Sequence, residues 1–141
     1  MTQIRSFSDV RAELADEHRQ IMSLVARIES APAEEELPRL LKSLHDTLVD
    51  HFAHEQFPGG LYECMGANRP EHHDTLRFLV QEHCALLSDA RALVEHARAA
   101  GTGAGAALKQ ETDRLLRKLR QHETREHELA RSIEQGGSQD G

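Results

Sequence analysis

The chain has no tryptophan, one tyrosine and four phenylalanines. No alternating run of β-branched residues interrupts a composition rich in Ala, Leu, Glu and Arg. Strands draw on aromatic and β-branched residues, so a sheet-based fold is not expected. No apolar run approaches the ~18 residues a membrane helix needs, and no signal-peptide pattern opens the sequence. A cytoplasmic protein without a membrane partner is expected. Cys64 and Cys84 are too few for a disulfide scaffold and read as reduced thiols. Lys and Arg number 17 against 24 Asp and Glu, and the net charge of −7 argues against nucleic acid as a partner. A glycine-rich phosphate loop and a serine nucleophile motif are also missing.

What is present is helical periodicity. At 141 residues the chain is one domain of common size. A first helix is predicted from about Ser8 to Ser30, capped by Ser8 or Asp9, with the stripe Phe7, Val10, Leu14, His18, Ile21, Val25, Ile28. A second starts near Ala33, reads Leu37, Leu41, Leu44, Leu48, His51, Glu55, and ends at Pro58-Gly59-Gly60. A third begins near Pro70 and reads Leu76, Leu79 or Val80, His83, Leu87, Ala90, Val94, Ala97. After the glycine-rich segment 101–105 a fourth reads Leu108, Thr112, Leu115, Leu119, His122, Glu126, Leu129, Ile133. The near-3.5 spacing and modest connections predict an all-α, antiparallel up-down-up-down four-helix bundle over residues 1–135. Residues 136–141, rich in Gly, Ser and Asp, are expected to be a disordered tail. Leu40, Leu86 and Leu116 flank the stripes and would either widen the core or form a dimer surface, so monomer and homodimer both stay open.

Among ten histidines, only His51 and His122 have a glutamate four residues later, Glu55 and Glu126. On a helix that spacing is ~6 Å of rise and roughly 40° of rotation, so each pair projects from one face. His18 and His83 stand alone on the first and third stripes. Thus each helical hairpin offers one lone histidine and one pair, a pseudo-twofold pattern. All six residues fall where their stripes reserve core positions. A lone core histidine is more often hydrogen-bonded than metal-bound, but a buried carboxylate costs several kcal/mol unless paired or bound to a cation. His18, His51, Glu55, His83, His122 and Glu126 are therefore the candidate metal ligands, two histidines per ion with both carboxylates bridging. Imidazole and carboxylate together suit iron, manganese or zinc. The Glu-x-x-His signature of ferritin-like bundles and the zincin motif are both absent.

With this ordered set, the chain resembles the hemerythrin-like (HHE cation-binding) domain family over residues ~8 to ~134. The resemblance implies a four-helix bundle around two iron ions, bridged by carboxylates and by an oxo or hydroxo group. It also implies a small ligand such as O2, NO or peroxide. Two departures separate the chain from oxygen-carrying members. Their third helix has His-x-x-x-His, where Leu79 stands four residues before His83, and their last helix has an aspartate five residues after its histidine, where His127 stands. The four-histidine, two-glutamate set is closer to the iron-sensing and nitrosative-stress branches.

Without the fifth histidine both ions would keep labile positions, favouring reaction or sensing over carriage. The alternatives are an enzyme with catalase-like, peroxidase-like or NO-reducing activity, and a structural bundle holding zinc or no metal. Signalling would require a protein partner. Tyr62 reads as loop packing ahead of a role at the site, and Glu17, Glu82, His54 and His127 as solvated residues. His45, His72, His73 and His96 lie off the apolar faces. The basic run 114–120 reads as the outer face of a bundle helix.

Overall fold

A computed structural model describes residues 7–30, 32–67, 69–100 and 105–137. Four long helices carry the fold: α1 (Phe7–Glu29), α2 (Leu37–Gln56), α4 (His73–Ala100) and α5 (Gly105–Gly137). A fifth, α3 (Leu61–Gly66), lies between α2 and α4. There is no strand among the described residues. Nor is any helix of the described residues long and apolar enough to cross a membrane. The all-α bundle expected from the stripes is what the chain forms.

The element ends depart from the sequence reading in instructive ways. Ser8 and Asp9 lie inside the first turn of α1, and the residues preceding that helix are outside the described part. Ala33 to Glu36 form a turn, so α2 starts four residues later than expected, with Pro38 in its first turn where a missing N–H costs nothing. Pro70–His72 is a single 3-10 turn leading into α4. The helix α5 continues to Gly137, two residues into the segment expected as tail, while residues 138–141 are outside the described part. The glycine-rich break likewise falls outside it except for Gly105, which opens α5.

The connection expected between Pro58 and Arg69 is a structured device rather than a loop. Gly59 takes a φ of 85°, a left-handed conformation that glycine adopts without steric cost. A Cβ on Gly60 would meet the carbonyl oxygen of His54 and come within 2.8 Å of those of Glu55 and Phe57. Glycine therefore lets the chain fold back tightly over the end of α2. The Gly59 N–H donates to Glu63 Oε2 at 2.6 Å, fastening the start of α3. Arg69 Nη1 donates to the carbonyls of Cys64 and Met65 at 3.1 and 3.3 Å, fastening its end.

Two apolar clusters fill the interior. One contains Ile21, Val25, Leu44, Leu48, Leu86 and Leu119, together with Leu40 and Leu116. The flanking leucines, Leu86 among them, thus widen the core. The other, at the α3 end, contains Val10, Leu14, Leu61, Met65, Leu76, Leu79 and Leu129. On α1, α4 and α5 the candidate ligands fall between residues of the first cluster and residues of the second. On α2 they fall at its end, between Leu48 of the first cluster and Leu61 of α3 in the second. A polar layer is thereby enclosed between two apolar ones. Helix α2 packs closely on α1 and α4, and α4 on α5, whereas α1 and α5 approach less closely.

Candidate metal centre

The heights of the helices decide whether the stripes meet. His18 lies 11 residues before the end of α1 and His51 14 after the start of α2; His83 and His122 are each 17 residues from their helix ends. At ~1.5 Å per residue the paired histidines arrive at similar levels. The His18 and His51 ring centroids are 4.6 Å apart, and those of His83 and His122 4.8 Å. His51, Glu55, His83, His122 and Glu126 are buried. His18 departs from the reading that placed it in the core: its side chain is 28 % exposed, because the α1–α5 seam on which it lies is the looser one.

All six side chains converge, and they divide into two sets that share both carboxylates. Ligand-type atoms of His18, His51, Glu55 and Glu126 lie within 4.8 Å of one another, and so do those of Glu55, His83, His122 and Glu126. Glu55 Oε2 is 3.2 Å from His51 Nε2 and 3.7 Å from His18 Nε2, while its Oε1 is 3.2 Å from His83 Nε2. Glu126 Oε1 is 3.6 Å from His18 Nε2, and its Oε2 is 3.5 Å from His122 Nε2. Each carboxylate thus turns one oxygen to each histidine pair.

The outer nitrogens are already engaged. His51 Nδ1–H donates to Glu17 Oε1 at 2.9 Å, and His122 Nδ1–H to Glu82 Oε1 at 3.1 Å. His83 Nδ1–H donates to Gln56 Oε1 at 2.7 Å, and His18 Nδ1 lies 3.0 Å from Glu123 Oε2. Carboxylate and amide oxygens accept here, so each Nδ1 carries a proton and each Nε2 faces inward. Glu17 and Glu82, expected to be solvated, are therefore the orienting partners of two candidate ligands. His54 is exposed as expected, yet its Nδ1 also meets Glu17, at 2.7 Å. His127 is exposed.

Inside the cluster hydrogen bonding fails. His51 Nε2, His122 Nε2 and both oxygens of Glu55 are buried without a hydrogen-bond partner. They are close enough for ion pairing, but their lone pairs converge on shared space instead of on each other. An orphaned buried polar group costs about 1–3 kcal/mol, and a cation in that space would satisfy several at once. The donor set fits a metal.

The electrostatics agree. Burial, reinforced by the charge of Glu126, holds the Glu55 carboxyl well above the ordinary carboxylate range. Burial works against Glu126 as well, but the close approach of Glu55, His122 and His18 outweighs it and holds that carboxyl low. Burial opposes a charge on His18, yet Glu126 and Glu55 raise it to about 10. Burial, with His122 beside it, pushes His83 down to about 3.

Phe52, which sequence reasoning passed over, and Tyr62, which it read as loop packing ahead of a role at the site, complete the arrangement. Phe52 stacks on the His83 ring, with centroids 3.8 Å apart and planes 7° from parallel. Tyr62 is buried, and its hydroxyl reaches 2.8 Å from Glu126 Oε2 and 2.9 Å from His83 Nε2, so its position is more than loop packing. Burial, together with the neighbouring Glu126 and Glu55, lifts its phenol far above its ordinary range. On the opposite side a cavity of about 160 Å³ between α1 and α5 is lined by Arg11, Leu14, Ala15, His18, Glu126, His127, Ala130 and Leu61 of α3.

A four-helix bundle enclosing paired histidines and shared carboxylates defines a metal-binding bundle. The chain belongs to the hemerythrin HHE cation-binding domain family, whose domain its residues 9–130 match. Comparison with curated proteins and with solved structures gave no match.

Proposed function

We propose that this chain is a cytoplasmic non-haem di-iron protein that binds, senses or reacts with a small molecule of the O2, NO or peroxide class. His18 and His51 would hold one ion and His83 and His122 the other, with Glu55 and Glu126 spanning both. The observation that carries the reading is the division of the donors: two four-residue sets share both carboxylates, and every histidine already has its outer nitrogen held. A single structural zinc ion would use four ligands and leave the remaining histidines as buried orphans. Bound iron would supply redox chemistry and positions for an exogenous ligand. The protein supplies the rest. Glu17, Glu82, Gln56 and Glu123 fix the imidazole tautomers, the two apolar clusters exclude bulk water, and the α1–α5 cavity leaves access beside His18.

Reconstitution with ferrous iron under anaerobic conditions, followed by air, tests this. The expected result is two irons per chain and an oxo-bridge absorption in the near ultraviolet. A colourless protein without iron would sink the proposal. Peroxide or NO turnover, compared among the wild type, Glu126→Ala and His51→Ala, separates an enzyme from a sensor.

A further inference from the structure

We propose that Tyr62 is a fifth terminal protein ligand, its oxygen binding the ion held by His83 and His122. The inference rests on the di-iron reading above. Its geometric basis is the position of the hydroxyl oxygen, 2.9 Å from His83 Nε2 and 2.8 Å from Glu126 Oε2. Donors that share an octahedral ion through bonds of about 2.1 Å stand ~3 Å apart, so the oxygen occupies a vertex adjacent to two ligand atoms of the same set. The same oxygen is badly served as a hydrogen-bonding group. It carries one proton and faces two acceptors, the carboxylate oxygen of Glu126 and the inward lone pair of His83.

The scaffold around Tyr62 holds it in place. The helix α3 that bears it is fastened at both ends, by Gly59 to Glu63 and by Arg69 to the Cys64 and Met65 carbonyls, and Gly60 permits the tight fold-back. Leu61 and Met65 are buried on either side. Leu79, fully buried in the same apolar cluster as Tyr62, stands where a fifth histidine would be. Tyr62 thus offers a ligand from outside the four-helix frame. On ligation the O–H bond breaks, the proton leaves to solvent, and the oxygen lone pair forms the bond to the ion. The cation's charge favours the anionic oxygen in a place where burial alone disfavours it.

Two consequences follow. The expectation that both ions keep labile positions gives way to an asymmetric pair, with the open position on the His18 and His51 side. A hard anionic oxygen also stabilises the ferric state over the ferrous one, which works against reversible O2 carriage and for reaction.

Tyr62 is the only tyrosine of the chain, so any tyrosinate signal belongs to it. The full chain, loaded with iron and exposed to air, should show a visible charge-transfer band, and resonance Raman excitation into it should enhance tyrosinate ring modes. Tyr62→Phe should keep two irons and the near-ultraviolet band while losing the visible band. Two irons per chain with no tyrosinate modes in the wild type would overturn the ligation and leave the di-iron reading standing. Failure to take up iron would overturn both. The wild-type spectrum decides even if the variant does not fold.

Discussion

In the first hairpin His51 leans on Glu17, and in the second His122 leans on Glu82, at nearly equal distances. The correspondence stops at the lone histidines. His18 meets the carboxylate of Glu123 and is 28 % exposed, beside a cavity between helices that approach loosely. His83 meets the neutral amide of Gln56, stacks on Phe52 and touches the Tyr62 hydroxyl, and it is fully enclosed. The half beside the cavity carries an acidic outer partner, although burial raises the Glu123 carboxyl above its ordinary range and leaves its Oε1 without a hydrogen-bond partner. The enclosed half has a neutral outer partner and a phenol that burial keeps in its neutral form. The two halves thus differ in outer partner and in enclosure, and each can be tested against the other.

Removing the metals should have the largest effect, because it strikes what the halves share. Chelation is expected to lower the melting temperature by roughly 10–20 °C, the size of a stabilisation of about 4 kcal/mol in a domain of this length. The gap between loaded and metal-free protein should also widen as pH rises from 6 to 8. His18 is raised to about 10 in the folded protein, so its contribution to metal-free stability is fully present below its unfolded value of about 6.5. That contribution is lost as pH climbs towards 10. Metal binding runs the other way, because its ligands shed protons more readily at higher pH. Paired thermal melts at several pH values check both statements, and a gap that narrows with pH would contradict the burial of the ligands.

Next in size is the loss of an orienting carboxylate. Glu17→Ala should weaken one ion by about 10–100-fold and Glu82→Ala the other by a similar factor. Competition titration with a chelator would show one weakened and one unchanged site in each variant. Equal weakening of both ions by either substitution would mean that Glu17 and Glu82 serve packing and not particular histidines.

These two glutamates show where the sequence was and was not readable. The four long helices and the convergence of six polar side chains followed from one 3–4 periodicity, because a position on a bundle stripe dictates what it faces. Glu17 and Glu82 sit ~100° away from the lone histidines, and on one helix that reads as surface. Their partners come from the neighbouring helix, which periodicity does not encode. A signal existed in the repeat of Glu-His at 17–18 and 82–83, one copy per hairpin. For α3 there was none: six residues are too few for a helical period to register, so Tyr62 could be assigned no face. The exposure of His18 was equally hidden, since the separation of α1 and α5 belongs to the assembled bundle.

The smallest effect should come from the seam itself. Ala15 lines the α1–α5 cavity beside His18 and is only partly buried, so Ala15→Leu places three further carbons where a small molecule would pass. Because the position faces a cavity and not packed core, the stability change should stay within about 1 kcal/mol and the iron content should not change. An added barrier of about 1 kcal/mol would slow azide or NO binding roughly fivefold, measurable by stopped-flow absorption. If access lies on this side, the slowing appears in the association rate while the tyrosinate band is unmoved, because Tyr62 belongs to the other half. An unchanged association rate with a shifted tyrosinate band would place the open position at the enclosed half and reverse the comparison.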